Sequence, residues 1–142
     1  MIIKLKKLNK DAVIPKYARE GDAGFDLFST MNYKLKPGER KLIGTGLAFE
    51  IPKGYEIQLR PRSGLALKNG ISLVNTPGTV DSGYRGEIGL IVINHGNEIF
   101  EIKSGDKIAQ AVLNKIESAE FVEVPYLNES ERGDRGFGHS DI

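Results

Sequence analysis

The sequence predicts an all-β domain, a barrel or sandwich of short strands with one very short helix. Three observations lead there. Short runs alternate apolar and polar residues with period two. Seventeen glycines and six prolines, 17 and 6 of 142 residues, punctuate those runs with turn signals. No window between these breakers keeps a 3.6-residue apolar period long enough for a typical helix.

Taken in order, residues 2–8 alternate from the start and read as a first strand. In residues 46–51, Leu47, Phe49 and Ile51 share one face, and Tyr55, Ile57 and Leu59 do the same in residues 54–60. The segment from Arg62 to Gly70 is the exception. Ser63 suits an N-cap, residues 65–68 favour helix, and Gly70 suits the end, so one or two helical turns are predicted. The stretch Asn75-Thr76-Pro77-Gly78-Thr79-Val80-Asp81-Ser82-Gly83-Tyr84-Arg85-Gly86 reads as a β-hairpin. Residues 88–93 are apolar nearly throughout and predict a strand covered on both faces. Further strands fit residues 99–102, 107–116 and 121–124. The polar, Gly-rich residues 128–142 predict a flexible C-terminal arm, so the domain proper is set at residues 1–127.

Composition narrows the function. The chain carries 20 basic and 19 acidic residues, a formal net charge of +1. That balance leaves no basic face for nucleic acid or a membrane surface. There is no cysteine, and His95 and His139 lack metal-ligand spacing, which argues against a zinc enzyme. The first eight residues mix charge and apolar residues too early for a signal peptide, and no apolar run approaches a membrane span. A soluble protein of the cytoplasm or another intracellular compartment is expected.

Four places could carry chemistry. At Arg62-Ser63-Gly64, free N–H groups at a helix start and a guanidinium fork suit a phosphate; the plainer reading is a surface turn with a capping serine. Gln110 falls by alternation on the face of Ile108 and Val112. It is either a polar group needing a buried partner or an edge residue facing water. Asp81 is placed at a strand end, where a carboxylate can take a proton from water; the plainer reading is an Asx-turn. Phe137, between two glycines, either stacks on a ligand when the arm orders or belongs to a disordered tail. His139 reads as a hydrogen-bond donor or bystander. Asp26 reads as structural, with an indirect role beside a metal–phosphate site as the alternative.

Together and in this order, these segments resemble the homotrimeric dUTPases. The resemblance covers nearly the whole chain and includes five motifs. They stand here as Ala23-Gly24-Phe25-Asp26-Leu27; Pro61-Arg62-Ser63-Gly64-Leu65-Ala66; residues 75–86; Gly105-Asp106-Lys107-Ile108-Ala109-Gln110; and residues 132–140. The resemblance implies a distorted jelly-roll β-barrel and hydrolysis of dUTP to dUMP and pyrophosphate by water attack on the α-phosphorus. It implies that Arg62, Ser63, Gly64 and Gln110 hold the phosphates. The segment from Asn75 to Gly89 would bind uracil through its backbone, with Thr79 and Val80 near the nucleoside. Asp81 would activate the water, and Tyr84 would pack under the sugar and block a 2′-hydroxyl. From the arm, Phe137 would cover the base while Arg132, Gly138, His139 and Ser140 reach the outer phosphates. Mg²⁺ would be held mainly by phosphates and water, and the sites would lie between the subunits of a homotrimer. Two residues depart from the family pattern: Arg135 and Asp141 stand where glycine is usual. The competing readings are a dCTP deaminase, a bifunctional enzyme making dUMP from dCTP, a non-catalytic dUTP sensor, and a structural β scaffold.

Overall fold

Alternation in Tyr55-Glu56-Ile57-Gln58-Leu59-Arg60-Pro61 becomes a central strand that buries Ile57 and Leu59 and turns Gln58 and Arg60 outward. The computed structural model describes residues 1–136, and its strands follow the same rule throughout. They are β1 (Lys4–Lys7), β2 (Gly24–Phe28), β3 (Tyr33–Leu35), β4 (Arg40–Gly44), β5 (Leu47–Glu50), β6 (Tyr55–Pro61), β7 (Ile71–Leu73), β8 (Gly78–Val80), β9 (Gly89–Asn94), β10 (Phe100–Ile102) and β11 (Lys107–Lys115). One helix, α1 (Ser63–Asn69), lies between β6 and β7. Every strand pairing among the described residues is antiparallel.

The strands form a four-stranded sheet β2-β11-β6-β8, a three-stranded sheet β4-β9-β7, and the pairs β1-β5 and β10-β3. Their inner faces close on one core, in which Leu27, Leu35, Ile43, Leu47, Leu90 and Ile102 are fully buried. This is the all-β architecture with one short helix that the sequence predicts, in the distorted jelly-roll form that the resemblance implies. Asn94 is the notable polar group inside. Its Nδ2 donates to the carbonyls of Leu35 and Glu98 at 3.0 and 2.8 Å, and its Oδ1 accepts from Gly96 N–H at 2.8 Å. A buried amide so placed leaves nothing unpaired.

Several local expectations are corrected. The N-cap of α1 is Arg62, with Ser63 the first helical residue, and no side chain caps the helix. The end behaves as predicted: Gly70 has φ 68°, a left-handed conformation that a glycine adopts without strain. The expected β-hairpin is not one. β8 pairs with β6 and β9 with β4 and β7, so residues 81–88 cross between sheets. β9 is not covered on both faces, because Ile91 is 37% exposed. No strand forms at residues 121–124, where Phe121 and Val122 stand exposed and the last strand has already ended at Lys115. No helix among the described residues is long and apolar enough to cross a membrane.

Candidate active site

The residues singled out in the sequence gather into two groups. The first forms where β6 runs into α1. Pro61 closes the strand and Arg62 keeps an extended backbone, φ −92° and ψ 128°, before the helix begins at Ser63 and Gly64. The first N–H groups of a helix have no intrahelical acceptor, so this corner offers donors to an anion. Arg62 is fixed beside it: Nε lies 3.1 Å from Asp26 Oδ1, and Nη1 donates to the Lys107 carbonyl at 3.0 Å. The other Asp26 oxygen lies 2.8 Å from Lys107 Nζ.

Gln110 joins the same corner. In the sheet it stands between Asp26 on β2 and Arg60 on β6. A register shift between Lys107 and Ala109 sends Ile108 into the core, while Ala109 and Ala111 point inward and leave Gln110 on the outer face. Expectation had grouped Gln110 with Ile108; the bulge separates them. The amide is half-buried and finds a partner, donating from Nε2 to the Pro61 carbonyl at 3.0 Å. Gly24 makes this possible, since a Cβ there would meet Gln110 Oε1 at 2.7 Å. A cleft of about 320 Å³, lined by Lys16, Asp22, Gly24, Asp26 and Gln110, opens beside the corner.

The second group surrounds a cleft of about 190 Å³ along β8. Asn75, Thr79, Val80, Asp81, Tyr84 and Gly89 line it, with Leu59, Glu87 and Ile88. The chain enters through a cis Thr76-Pro77 bond. Val80 ends β8 and is buried, which anchors the exposed Asp81 next to it at a strand end, as predicted. Beyond it the chain turns: Tyr84 N–H donates to the Asp81 carbonyl at 3.1 Å, and Arg85 Nη1 to the Ser82 carbonyl at 2.7 Å. The Tyr84 hydroxyl donates to the Glu87 carbonyl at 3.0 Å, its ring lying over Gly86 where a Cβ would collide with it. Two carboxylates border the cleft, and they differ. Glu87 Oε1 is taken by Gly46 N–H at 2.8 Å, whereas the Asp81 carboxylate has no hydrogen bond or ion pair among the described residues. It is the group left open to solvent and ligand.

The two groups lie at different levels of β6. β8 pairs with β6 so that Val80 faces Ile57, and one step further brings Asp81 level with Glu56. Arg62 is six residues along from Glu56, which in extended chain is about 20 Å. Arg132 joins neither group: it sits in an exposed turn, where its Nε donates to the Arg135 carbonyl at 2.9 Å. Phe137, Gly138, His139 and Ser140 lie outside the described residues.

Sequence reasoning missed Lys107 and Glu87. The motif around Gln110 contains Lys107, but its contact with Asp26 follows only from strand register. Among the described residues, no cluster of three or more His, Cys, Asp or Glu side chains could hold a metal ion. The groups with displaced titration stand apart from both clefts. The Tyr33 hydroxyl, by hydrogen bonding, pulls Glu39 below the ordinary carboxylate value, and Lys4 Nζ, 2.9 Å from Glu50, does the same there.

Known proteins resemble the chain in sequence and in overall fold. The family model for dUTPase matches residues 10–141. The deoxyuridine 5′-triphosphate nucleotidohydrolase of Nautilia profundicola is 60% identical over 138 residues, spanning 97% of each chain. That of Helicobacter hepaticus is 57% identical over 142 residues, covering 100% of this chain and 90% of its own. Among solved structures, the dUTPase of Staphylococcus bacteriophage 80alpha with dUpNHpp superposes with TM-score 0.91 at 31% identity, over 99% of both chains. A mutant dUTPase from phage phi11 of S. aureus, which reveals the coordination of a structural Mg(II) ion, superposes with TM-score 0.82 at 28% identity, over 89% of this chain and 98% of its own.

Proposed function

The chain belongs to the dUTPase family, and on that premise we propose that it is a dUTP diphosphatase, hydrolysing dUTP to dUMP and pyrophosphate. The observation that carries the reading is Asp81: a carboxylate without a hydrogen bond or ion pair among the described residues, at a strand end on the rim of a cleft.

In this reading Asp81 takes the proton from a water lined up on the α-phosphorus. General-base action of this kind contributes on the order of 10²–10⁴ in rate. Arg62, the Ser63 and Gly64 backbone and Gln110 hold the phosphate chain. Fixed donors of this sort stabilise charge as it develops, without reorganising. Asn75, Thr79, Val80 and Gly89 border the base and sugar, and main-chain groups there suit uracil while leaving a cytosine with mismatched donors. Tyr84, held by its hydroxyl over Gly86, packs beneath the sugar and excludes a 2′-hydroxyl. The arm, residues 128–142, closes over a neighbouring site. Phe137 covers the base, and Arg132, Gly138, His139 and Ser140 reach the outer phosphates.

Mg²⁺ fits this donor set as a substrate-held ion. The described residues offer no carboxylate cage, and Asp26 is already occupied by two cations, which suits an ion that keeps several waters and takes phosphate oxygens. When bound it neutralises and orients the triphosphate.

The separation of the two groups along β6 supports a closed homotrimer, in which the Asp81 end of one subunit meets the Arg62 end of the next. An apolar stripe supports it too. Leu42 pairs with Ile91 on the outer face of β4-β9-β7, with Val74 beside them, and all three are exposed in the single chain. In this reading the partners are dUTP and two further copies of this chain, in the cytoplasm or another soluble intracellular compartment; a chain without cysteine suits a reducing one. The test is to incubate the protein with dUTP, dCTP, dTTP and UTP plus Mg²⁺ and identify the products. Release of dUMP and pyrophosphate from dUTP alone is expected. dUMP or dUTP formed from dCTP would make it a deaminase, and binding of dUTP without turnover would make it a sensor.

A further inference from the structure

Asp26 has a place in the phosphate corner that neither a base nor a metal ligand explains. Both of its oxygens are taken by cations, Oδ1 by Arg62 Nε at 3.1 Å and Oδ2 by Lys107 Nζ at 2.8 Å. The Asp26 side chain is 24% exposed and that of Arg62 33%, so the pair is only partly screened by water. Arg62 is caught a second time where Nη1 donates to the Lys107 carbonyl. A guanidinium has five N–H donors in one plane. Nη1 spends one on the Lys107 carbonyl, and Nε lies in ion-pair contact with Asp26. Nη2 makes no hydrogen bond among the described residues.

A carboxylate next to a triphosphate site repels the ligand, so its presence needs a compensating benefit. An arginine fork binds phosphate oxygens in pairs only when its plane and edge are set. A flexible arginine would spend part of the binding free energy on ordering itself. Asp26 removes that cost. Two residues earlier on the same strand face, Gly24 admits the Gln110 amide, which holds the carbonyl of Pro61, the residue before Arg62. One strand thereby sets both the backbone and the side chain of the corner.

We propose that Asp26 is a positioning residue, which orients the Arg62 guanidinium so that its Nη2 edge faces the phosphate chain and which keeps Lys107 beside it as a second cation. This rests on the assignment of Arg62 to the phosphates. Asp26 acts through Arg62, and its effect disappears when Arg62 is gone.

The test is a double-mutant cycle of wild type, Asp26→Asn, Arg62→Ala and the double variant. Steady-state kinetics with dUTP are read at several Mg²⁺ concentrations, and affinity for tripolyphosphate is read by calorimetry in EDTA. Thermal melting confirms the fold. Asp26→Asn is expected to raise KM and weaken tripolyphosphate about tenfold, the worth of one charge-assisted contact, with kcat less affected. In the Arg62→Ala background it should cost nothing further. Asp26→Glu should restore part of the affinity, and it also replaces Asp26→Asn in the cycle should the amide variant fail to fold. Multiplicative losses in the cycle would overturn the proposal, as would a defect that high Mg²⁺ erases. If wild type bound tripolyphosphate but left dUTP intact, the substrate reading would fail while the cycle still judged Asp26.

Discussion

Asp81 and Arg62 stand at opposite ends of β6, one level with Glu56 and the other just past Pro61. About 20 Å of extended strand separates their levels, which favours the proposed site shared between two subunits. The relationship makes subunit mixing a direct test. An Asp81→Asn protein and an Arg62→Ala protein should each be nearly inactive. After subunit exchange in a cyclic trimer, each mixed ring holds one site with both residues intact, so about one quarter of all sites recover at equal mixing. Exchange is checked separately by mass labelling. Exchange without recovered dUTP hydrolysis would exclude the shared site.

Asp81→Asn alone is expected to keep nucleotide affinity and lose turnover by on the order of 10²–10⁴. The amide keeps the size of the side chain, and since the carboxylate has no partner among the described residues, melting temperature should hold. Single-turnover kinetics and dUpNHpp binding separate the two effects. Near-normal turnover would remove Asp81 from the role of base.

Ending the chain at Glu131 should leave a folded trimer with little activity. β11 ends at Lys115, and residues 117–135 are exposed throughout, so the core does not depend on the removed segment. Sedimentation and far-UV circular dichroism check the assembly and fold. Dissociation to monomers would show that the arm holds the ring together.

Acid stability should report on Tyr33 and Glu39. The Tyr33 hydroxyl is the main cause that lowers the Glu39 carboxyl from 4.5, followed by the Lys36 N–H at 2.8 Å. A carboxylate lowered on folding contributes stability that is present above its unfolded value and lost as pH falls through the folded one. The contribution is therefore intact at neutral pH and fades in acid below 4.5. Tyr33 itself is raised from 10.0, so its own share persists below that value and is lost as pH climbs past it. Tyr33→Phe should shift the Glu39 titration upward in NMR and flatten the acid limb of melting temperature against pH. An unmoved Glu39 would disprove the link.

The fold and much of the site were legible where physical signals are local. Alternation in β6 is long enough to show, and Thr79-Val80-Asp81 reads as a strand end because the apolar pattern stops there. β3, β7 and β8 have three residues each, too few to display a period. Residues 121–124 carry strand-forming side chains, but among the described residues no neighbour pairs with them, and propensity without a partner does not make a strand. Turn residues at 81–86 announce a reversal, not which sheet receives the chain. The Asp26–Arg62–Lys107 contacts depend on register among three strands, which no single segment encodes.

Because the ends of one strand, β6, would serve two different pockets of the proposed ring, a lesion spanning it would act with dominance. A single subunit damaged at both ends of β6 would spoil the pocket on each side of itself and leave its ring one working centre of three. In a cell making equal amounts of sound and damaged chain, only one junction in four would join two sound chains. Loss of activity would then run ahead of gene dosage, although the damaged chain was never a better competitor for substrate.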